Sequence, residues 1–416
     1  MQNQSKLIFH IDVNSAFLSW EAVYRKEVLG EVDDLRDIPS AIGGDQSKRH
    51  GIILAKSTAA KQYGIKTGES IHEALKKCPT LMVVPARMDI YQDYSKKFIK
   101  LLESFTPDVE QYSVDEAFCD MSGFEQLYGK PIDIGYMIKD AIKQQLGFTV
   151  NVGISSNRLL AKMASDFEKP DSVNTLFQEE VPEKMWPLPV RDLFFVGRKT
   201  AQKLNSLAIY TIGDLAKTDV AILRAHLKKH GDVIHDFANG IDSSDIEKEE
   251  VSNKSYGNGM TVSFDITSKD MAKKHLLLLS ETVAGRLRKD EKSASVISVT
   301  ICYFDFTKEA HQKTGFPPTN VTKEIANIAY QLFEEVWNQS PIRALRVCAS
   351  KIVDEQEYRQ ISLFDVEKHD NHEKLKKADK AFDEIQKRFG KDAIKRAGLF
   401  VDELTQEKDI QEDGQI

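Results

Sequence analysis

Residues 112–118, Tyr-Ser-Val-Asp-Glu-Ala-Phe, place two adjacent carboxylates inside a segment that otherwise favours a buried β-strand. Neighbouring side chains of a strand point to opposite faces, so either Asp115 or Glu116 would point toward a core. Burying a carboxylate without a partner is costly. The segment therefore either bends at this point or receives cations.

A third acid also lies at a predicted strand. Asp12 directly follows the apolar run 7–11, and helices and strands intermix beyond it, which favours an α+β fold. If the two strands are neighbours in one sheet, Asp12, Asp115 and Glu116 meet at adjacent strand ends. Carboxylates of this kind suit Mg²⁺, and two such ions can support phosphoryl or nucleotidyl transfer. The alternative is that each acid merely caps or turns a strand.

The rest of the chain divides into regions that differ in their predicted helices and strands. Its 416 residues suggest roughly three domains. Residues 190–239 predict helices with almost no strand signal, and 240–244 predict a linker. Residues beyond 254 predict a compact βαββαβ-like module. A later helix over 375–388 either packs on its own domain or presents Leu375, Ala378, Phe382 and Ile385 to a partner.

Composition excludes several classes of protein. With 41% hydrophobic and 29% charged residues the chain is typical of a globular protein. It has no apolar run near the ~20 residues of a membrane span and no signal-peptide pattern, which favours the cytoplasm and no membrane partner. Four cysteines without a CxxC motif indicate neither a disulfide framework nor a zinc site.

The charge distribution is only mildly asymmetric. The net charge is -7, yet residues 251–351 contain 14 lysines and arginines against 10 aspartates and glutamates. By itself this excess suits a solvated surface as well as a phosphate-binding one.

Two motifs carry a family resemblance. Residues 10–17, His-Ile-Asp-Val-Asn-Ser-Ala-Phe, followed by residues 112–118, resemble the Y-family, or translesion, DNA polymerases, which include bacterial DNA polymerase IV and UmuC-type proteins. The resemblance covers about residues 7–364. Further matching segments follow in the family's order, at residues 41–44, 63–65, 78–79, 152–157, 161–162 and 169–170.

The resemblance implies a multidomain α+β right hand. The implied domains are a palm (1–20 and 80–175), fingers (21–79), a helical thumb with a helix-hairpin-helix (176–240), a linker (241–250), an α+β little finger (251–353) and a C-terminal tail (354–416).

The resemblance also implies an active site. Asp12, Asp115 and Glu116 would bind two Mg²⁺ ions, with the Val13 backbone carbonyl as a further ligand. The implied nucleotide-binding residues are Phe17 as an aromatic steric gate against a 2'-hydroxyl, Lys162 at the triphosphate, and Thr58 and Lys61. Each has a plainer alternative as a core aromatic or a surface polar residue.

This chain departs from the family pattern at several positions. Many relatives carry a second aspartate at Asn14, and DNA polymerase IV relatives usually have Tyr and Arg at Thr58 and Lys61. Lysine keeps the charge of arginine but loses its bidentate fork. Phe195 stands in the helix-hairpin-helix where a glycine is often found.

DNA and a sliding clamp are the implied macromolecular partners. The predicted DNA-binding residues are Gly197 and Lys199 in the hairpin and Lys254, Arg286, Arg288, Arg343 and Arg346 in the basic module. Residues 360–364, Gln-Ile-Ser-Leu-Phe, resemble the clamp-binding peptide of bacterial polymerases through Gln360, Leu363 and Phe364. A strand that packs back on its own domain is the alternative for this peptide.

The implied activity is template-directed, low-fidelity translesion DNA synthesis in the DNA damage response, by a monomer that uses dNTPs and primer-template DNA. Two alternatives remain open: a non-catalytic factor that binds DNA and the clamp, and a palm-type nucleotidyl cyclase. The three acids argue against the first, and the thumb, basic module and clamp peptide argue against the second.

Overall fold

The computed structural model describes residues 6–44, 51–246, 252–355, 366–390 and 392–399. These residues form two units that divide near residue 250. None of the helices in these ranges is long and apolar enough to cross a membrane.

The first unit is built around a five-stranded sheet of order β5-β6-β1-β7-β8. Its strands are β1 (Ile8–Val13), β5 (Val109–Gln111), β6 (Glu116–Asp120), β7 (Val150–Ser155) and β8 (Val173–Thr175). Strand β1 is central and antiparallel to both β6 and β7, while β7 and β8 are parallel. The two acid-bearing strands, β1 and β6, are therefore neighbours in one sheet, which is the condition for their acids to meet.

Helices cover both faces of this sheet. Four of them are α1 (Ala16–Glu27), α4 (Met88–Leu102), α6 (Pro131–Leu146) and α7 (Arg158–Ser165). Phe9, Ile11 and Val13 of β1 belong to the large core that includes residues of α1, α4 and α6. Because side chains alternate along a strand, His10 and Asp12 point to the opposite face, where α7 packs.

A smaller sheet, β3-β2-β4, completes the region between α1 and α4. Its elements are β2 (Ser40–Gly43), β3 (Ile53–Lys56), α2 (Thr58–Gln62), α3 (Ile71–Lys77) and β4 (Met82–Pro85). Short helices α2 and α3 begin with serine caps, whose hydroxyls accept backbone N–H groups of the first turn. A four-residue helix, α5 (Glu125–Tyr128), lies between β6 and α6.

The predicted helical stretch follows β8. It contains α8 (Arg198–Asn205), α9 (Ile212–Lys217), α10 (Val220–Leu227) and α11 (Lys229–Ala238). Leu204, Ile212 and Ile234 share a core with Leu160 of α7. The segment after Gly240, predicted as a linker, is bound to the first unit, since Asp242 accepts the Leu159 N–H (3.1 Å).

The second unit has the order β9-α12-β10-β11-α13-β12, which confirms the βαββαβ prediction. Its elements are β9 (Ser255–Ile266), α12 (Lys269–Lys289), β10 (Lys292–Tyr303), β11 (Lys308–Lys313), α13 (Thr322–Val336), β12 (Ile342–Asp354) and the C-terminal helix α14 (Val366–Phe389). The sheet order is β11-β10-β12-β9. Helices α12 and α13 bury one sheet face, which leaves the other face uncovered by them.

Candidate active site and DNA-contacting surfaces

The register between β1 and β6 brings the predicted acids together. Asp12 lies directly opposite Glu116, and the Val13 N–H donates to the Asp115 carbonyl at 3.0 Å. Directly opposed residues share a sheet face, so the Asp12 and Glu116 side chains both point to the face covered by α7. Asp12 thus meets Asp115 and Glu116, which follow it more than 100 residues later in the chain, at one strand edge.

The segment 112–115 is a turn, which is the first of the two alternatives that the sequence left open for the adjacent carboxylates. Strand β6 begins at Glu116, and the N–H groups of Tyr112 and Ser113 both donate to the Glu116 carbonyl, at 3.0 and 3.1 Å. The Ser113 hydroxyl donates to Asp115 Oδ1 at 2.7 Å. The bend explains how adjacent carboxylates avoid the core.

Two lysines form ion pairs with two of these three acids. Lys162 on α7 donates to Glu116 Oε1 at 2.7 Å, and Lys169 forms an ion pair with Asp12 and a second one with Asp166 at 2.7 Å. Burial raises the pKa of Asp12 to about 6, against the lowering effect of Lys169. Burial alone would lower the pKa of Lys169, but the Asp12 carboxylate outweighs this and raises it. Both groups are therefore charged at neutral pH.

His10 is a member of the site that sequence reasoning missed. The ring is fully buried, its Nδ1 lies 2.8 Å from Ser165 Oγ, and its Nε2 lies 3.5 Å from Lys162 Nζ. Burial and the nearby cations Lys162 and Lys169 hold the pKa of His10 well below its usual 6.5. A neutral ring accepts from the lysine through Nε2 and donates to the serine through Nδ1. A histidine inside an apolar strand, two residues before Asp12, was the available signal.

The donor chemistry fits a divalent hard cation, although the side chains do not form a closed cage. Within the described ranges, no group of three or more His, Cys, Asp or Glu side chains is arranged to hold a metal ion. Two of the three carboxylates instead bind lysine ammonium groups, which compete for the same oxygen atoms. Carboxylate oxygens at adjacent strand ends remain the ligand type that Mg²⁺ prefers.

Phe17 lies on the first turn of α1 and packs against Tyr91, which belongs to a buried polar cluster. Its ring stacks on Tyr91 with centroids 5.2 Å apart and an interplanar angle of 15°. The Tyr91 hydroxyl donates to the fully buried Glu21 carboxylate (3.0 Å). This carboxylate also accepts hydrogen bonds from Arg25 and Arg87. This arrangement restricts the movement of the Phe17 ring.

The residues that depart from the family pattern in the first unit lie at the end of β1 and on α2. The Asn14 side chain lies 3.1 Å from Thr149 Oγ1 and ties the end of β1 to the start of β7. Thr58 and Lys61 are exposed on α2, close to Lys56, whose pKa is lowered by burial and by the Lys61 charge. A nucleotide contact for Thr58 and Lys61 stays a prediction.

The predicted hairpin in the helical region ends in a helix N-terminus that faces open space. Gly197 is the N-cap of α8, and Lys199 is exposed on its first turn. Apart from its two chain neighbours, no described residue has an atom within 4 Å of a Cβ added to Gly197. The first amides of a helix lack intrahelical acceptors and suit an anion such as phosphate.

The uncovered face of the second sheet is made of small residues crossed by one arginine. Arg346 on β12 is exposed, and its side chain lies over Gly257 and Gly259 of β9. The register puts further small or polar side chains on this face, namely Thr261, Ser298, Thr300, Lys308, Gln312, Ala344 and Cys348. The Gly-Asn-Gly pattern in a strand was the sequence signal for this surface.

The other predicted DNA contacts of this unit differ in accessibility. Lys254 is exposed just before β9. Arg343 lies 4.6 Å over the Phe306 ring, and Arg286 donates to the Gly257 carbonyl at 2.9 Å. Burial lowers the pKa of Arg286. Arg286 is therefore partly engaged within its own unit.

Arg288 is not available to DNA, which corrects its prediction as a phosphate contact. Its side chain is 5% exposed and pairs with Asp379 (3.2 Å) and Asp383 (2.6 Å) of α14. It also donates to the Asn320 carbonyl at 2.9 Å. The guanidinium fixes α14 to α12 and to the start of α13, which favours the packing alternative for the helix at 375–388, and it is not free to contact a phosphate.

The clamp-binding residues Gln360, Leu363 and Phe364 lie outside the described residues. Strand β12 ends at Asp354, before this peptide, and helix α14 begins at Val366, after it. The clamp contact stays a prediction.

Comparisons with known proteins agree with this geometry. A model of the impB/mucB/samB family matches residues 11–166, and the model of that family's C-terminal domain matches residues 253–363. The IMS family HHH motif matches residues 178–209. The matches thus include the three acids Asp12, Asp115 and Glu116, the helix α8 and the sheet of the second unit.

Curated relatives align over almost the whole chain. A DNA polymerase IV of Clostridium acetobutylicum is 48% identical over 396 residues, which are 95% of this chain and 98% of that protein. A DNA polymerase IV of Acetivibrio thermocellus is 38% identical over 402 residues, with the same shares. Among solved structures, a Y-family DNA polymerase chimera superimposes with a TM-score of 0.72 at 21% identity, covering 84% of this chain and 99% of the chimera.

Proposed function

The chain belongs to the impB/mucB/samB family and, with its DNA polymerase IV relatives, to the Y-family DNA polymerases, and from this premise we propose that it copies damaged template DNA by two-metal nucleotidyl transfer. In this reaction the primer 3'-hydroxyl attacks the α-phosphate of a dNTP and pyrophosphate leaves. The observation that carries the proposal is the pairing of Asp12 with Glu116, beside Asp115, at one edge of the sheet.

We assign the metal-holding role to Asp12, Asp115 and Glu116, with the Val13 carbonyl as a further ligand. When bound, two Mg²⁺ ions lower the pKa of the attacking hydroxyl and balance the charge on the leaving oxygen. Lys162 and Lys169 form ion pairs with two of these carboxylates within this site. The lysines must therefore move from the acids before those oxygen atoms can serve as ligands.

Lys162 and Phe17 are the proposed nucleotide contacts. Once released from Glu116, the Lys162 ammonium is within the same site to bind a triphosphate oxygen, and neutral His10 remains as its second partner. The Phe17 ring, supported by Tyr91, would lie under the sugar and exclude a 2'-hydroxyl. A supported ring excludes that hydroxyl better than a mobile one because it cannot move aside.

Two surfaces are proposed to bind DNA without reading sequence. The α8 N-terminus with Lys199 offers amides and one charge to a phosphate, and the open sheet face offers Arg346 over a flat surface of small side chains. Contacts of this kind weaken as salt concentration rises. We further propose that residues 360–364 bind a sliding clamp and that the polymerase is monomeric.

Primer extension with the full chain tests the proposal. We compare wild type, Asp115→Asn and a control, Asp93→Asn, which removes an exposed charge on α4. With Mg²⁺ and dNTPs, we expect wild type and the control to extend an undamaged primer-template and one with an abasic site. Asp115→Asn should lose at least about a hundredfold in rate, the scale for losing one charge-stabilising group, while it still binds the DNA.

Each result separates parts of the proposal. Extension that stops at the lesion would refute translesion synthesis and leave the polymerase assignment. Equal rates for wild type and Asp115→Asn would refute the metal role of Asp115. If wild type binds DNA but extends neither template, the non-catalytic alternative replaces the polymerase.

A further inference from the structure

A strained aromatic residue occupies the turn before α8. The Val196 N–H donates to the Leu193 carbonyl at 3.0 Å, so Phe194 and Phe195 are the two central residues of a β-turn. Phe195 has a φ of 71°. A positive φ at this third turn position normally selects glycine, because a side chain there is strained. The chain therefore accepts strain to keep a phenyl ring.

Packing within the fold does not account for this ring. Phe195 is 56% exposed and meets Phe194 and Phe237 edge to face, with centroids 4.7 and 5.7 Å away. A half-exposed ring gains little burial, and a glycine would remove the strain. Strained residues that the core does not require occur preferentially at functional sites.

The turn that carries Phe195 adjoins the proposed phosphate site and, through Phe194, Lys162 of the catalytic edge. Gly197, two residues later, caps α8, and this turn falls within the matched HHH motif. On the other side, Lys162 Nζ lies 5.4 Å from the centre of the Phe194 ring and binds Glu116. Phe195 is thus adjacent in the chain to the proposed phosphate site, and its ring contacts Phe194, whose ring lies beside Lys162.

We propose that Phe195 is a DNA-contacting residue whose ring packs against a deoxyribose of the strand bound at the hairpin. A DNA backbone alternates charged phosphates with largely apolar sugars. The α8 amides and Lys199 are suited to the phosphate, and an exposed ring beside them is suited to the neighbouring sugar. The contact is apolar and sequence-independent, and it rests on the proposed function.

Opposite effects on stability and on DNA affinity identify this role. In Phe195→Gly we expect the urea midpoint of the full chain to rise, because the strain is relieved. We expect the Kd for a fluorescent primer-template to weaken about threefold to tenfold, the scale for losing one apolar contact. The slope of log Kd against log salt should not change, because no phosphate contact is lost.

Three variants serve as controls. Lys199→Ala should weaken binding and reduce the salt slope by about one, as expected for a phosphate contact. Ala208→Gly relieves another positive φ, of 61°, outside the turn, so its urea midpoint should rise while its Kd stays unchanged. Phe195→Leu keeps an apolar side chain and should retain most of the affinity.

The outcomes are distinguishable. An unchanged Kd in Phe195→Gly overturns the inference and leaves the polymerase intact. A lower urea midpoint in that variant also overturns it, because the ring would then be a packing residue of the thumb. If wild type binds no primer-template DNA, the proposed function fails and this inference fails with it.

Discussion

Removal of the Asp379 carboxylate tests whether α14 is an integral part of the second unit. Asp379 is 3% exposed in its side chain and accepts the Thr322 N–H at 2.8 Å. It pairs with Arg288 (3.2 Å) and with Arg396. Asp379→Ala therefore leaves a buried guanidinium short of one carboxylate and a buried N–H without its acceptor.

The expected loss follows from these contacts. Breaking a buried ion pair by removing one partner costs about 3–5 kcal/mol. Arg288 keeps Asp383 and the Asn320 carbonyl, so we expect the lower end, about 3 kcal/mol of unfolding free energy. Asp379→Asn keeps an acceptor for Thr322 and should cost about half as much, since only the charge is lost. Asp383 is 38% exposed, so Asp383→Ala should cost about 1 kcal/mol.

Urea unfolding of the full chain measures the loss of unfolding free energy in each variant. Hydrogen exchange of the amides in α12 and α14 then shows whether the loss is local to these helices. Asp93→Ala is the control, because Asp93 forms a pair with Lys96 in which both side chains are exposed, and its loss should change stability by less than about 0.5 kcal/mol. The reasoning is refuted if Asp379→Ala costs no more than Asp383→Ala. It is also refuted if α14 exchanges its amides freely in wild type.

Two further predictions concern buried positions. Burial lowers the pKa of His275 from its usual 6.5 to about 4. Between these two pH values the unfolded chain therefore binds a proton at this histidine that the folded chain does not bind. The free energy of unfolding should fall by about 3 kcal/mol as the pH drops from above 6.5 to 4. Comparing urea midpoints of wild type and His275→Gln across this range isolates that loss, and parallel pH profiles would contradict it. A Cβ added to Gly153 would lie 2.0 Å from the Ala161 carbonyl oxygen, so Gly153→Ala should cost more than about 3 kcal/mol in the same assay. Gly285→Ala meets no atom closer than 3.9 Å on helix α12 and should be neutral or stabilising, and a similar loss in both variants would refute the steric argument.

Much of the candidate site could be predicted from the sequence because its signals are local. The apolar run before Asp12 and the pattern around Glu116 predicted two strands, and both exist. The helix and strand periods beyond residue 254 predicted the βαββαβ order. The 10–17 and 112–118 motifs predicted the family that the comparisons support.

The pattern at 112–115 left a bend as one of two alternatives and did not decide between them. Alternating polar and apolar residues suit both a strand and a hairpin connection. The hydrogen bonds from Tyr112 and Ser113 to the Glu116 carbonyl decide between them. Those bonds depend on β5 pairing with β6, which a local pattern does not specify.

Charge partners were also invisible in the sequence. Arg288 has the same helical context whether it faces water or another helix, and its partner Asp379 is 91 residues away. Lys169 and Asp12 are separated by 157 residues. Lysine and arginine are usually solvated, so a one-dimensional reading assigns them to the surface.

The sequence by itself determined the two acid-bearing strands, the family and the identity of the three acids, since periodicity and motifs are properties of neighbouring residues. Only the tertiary structure decided that the acids meet on one sheet face, that Lys162 and Lys169 pair with two of them, and that Phe195 is strained and exposed. The physical reason is that register, burial and ion pairing depend on contacts between segments far apart in the chain.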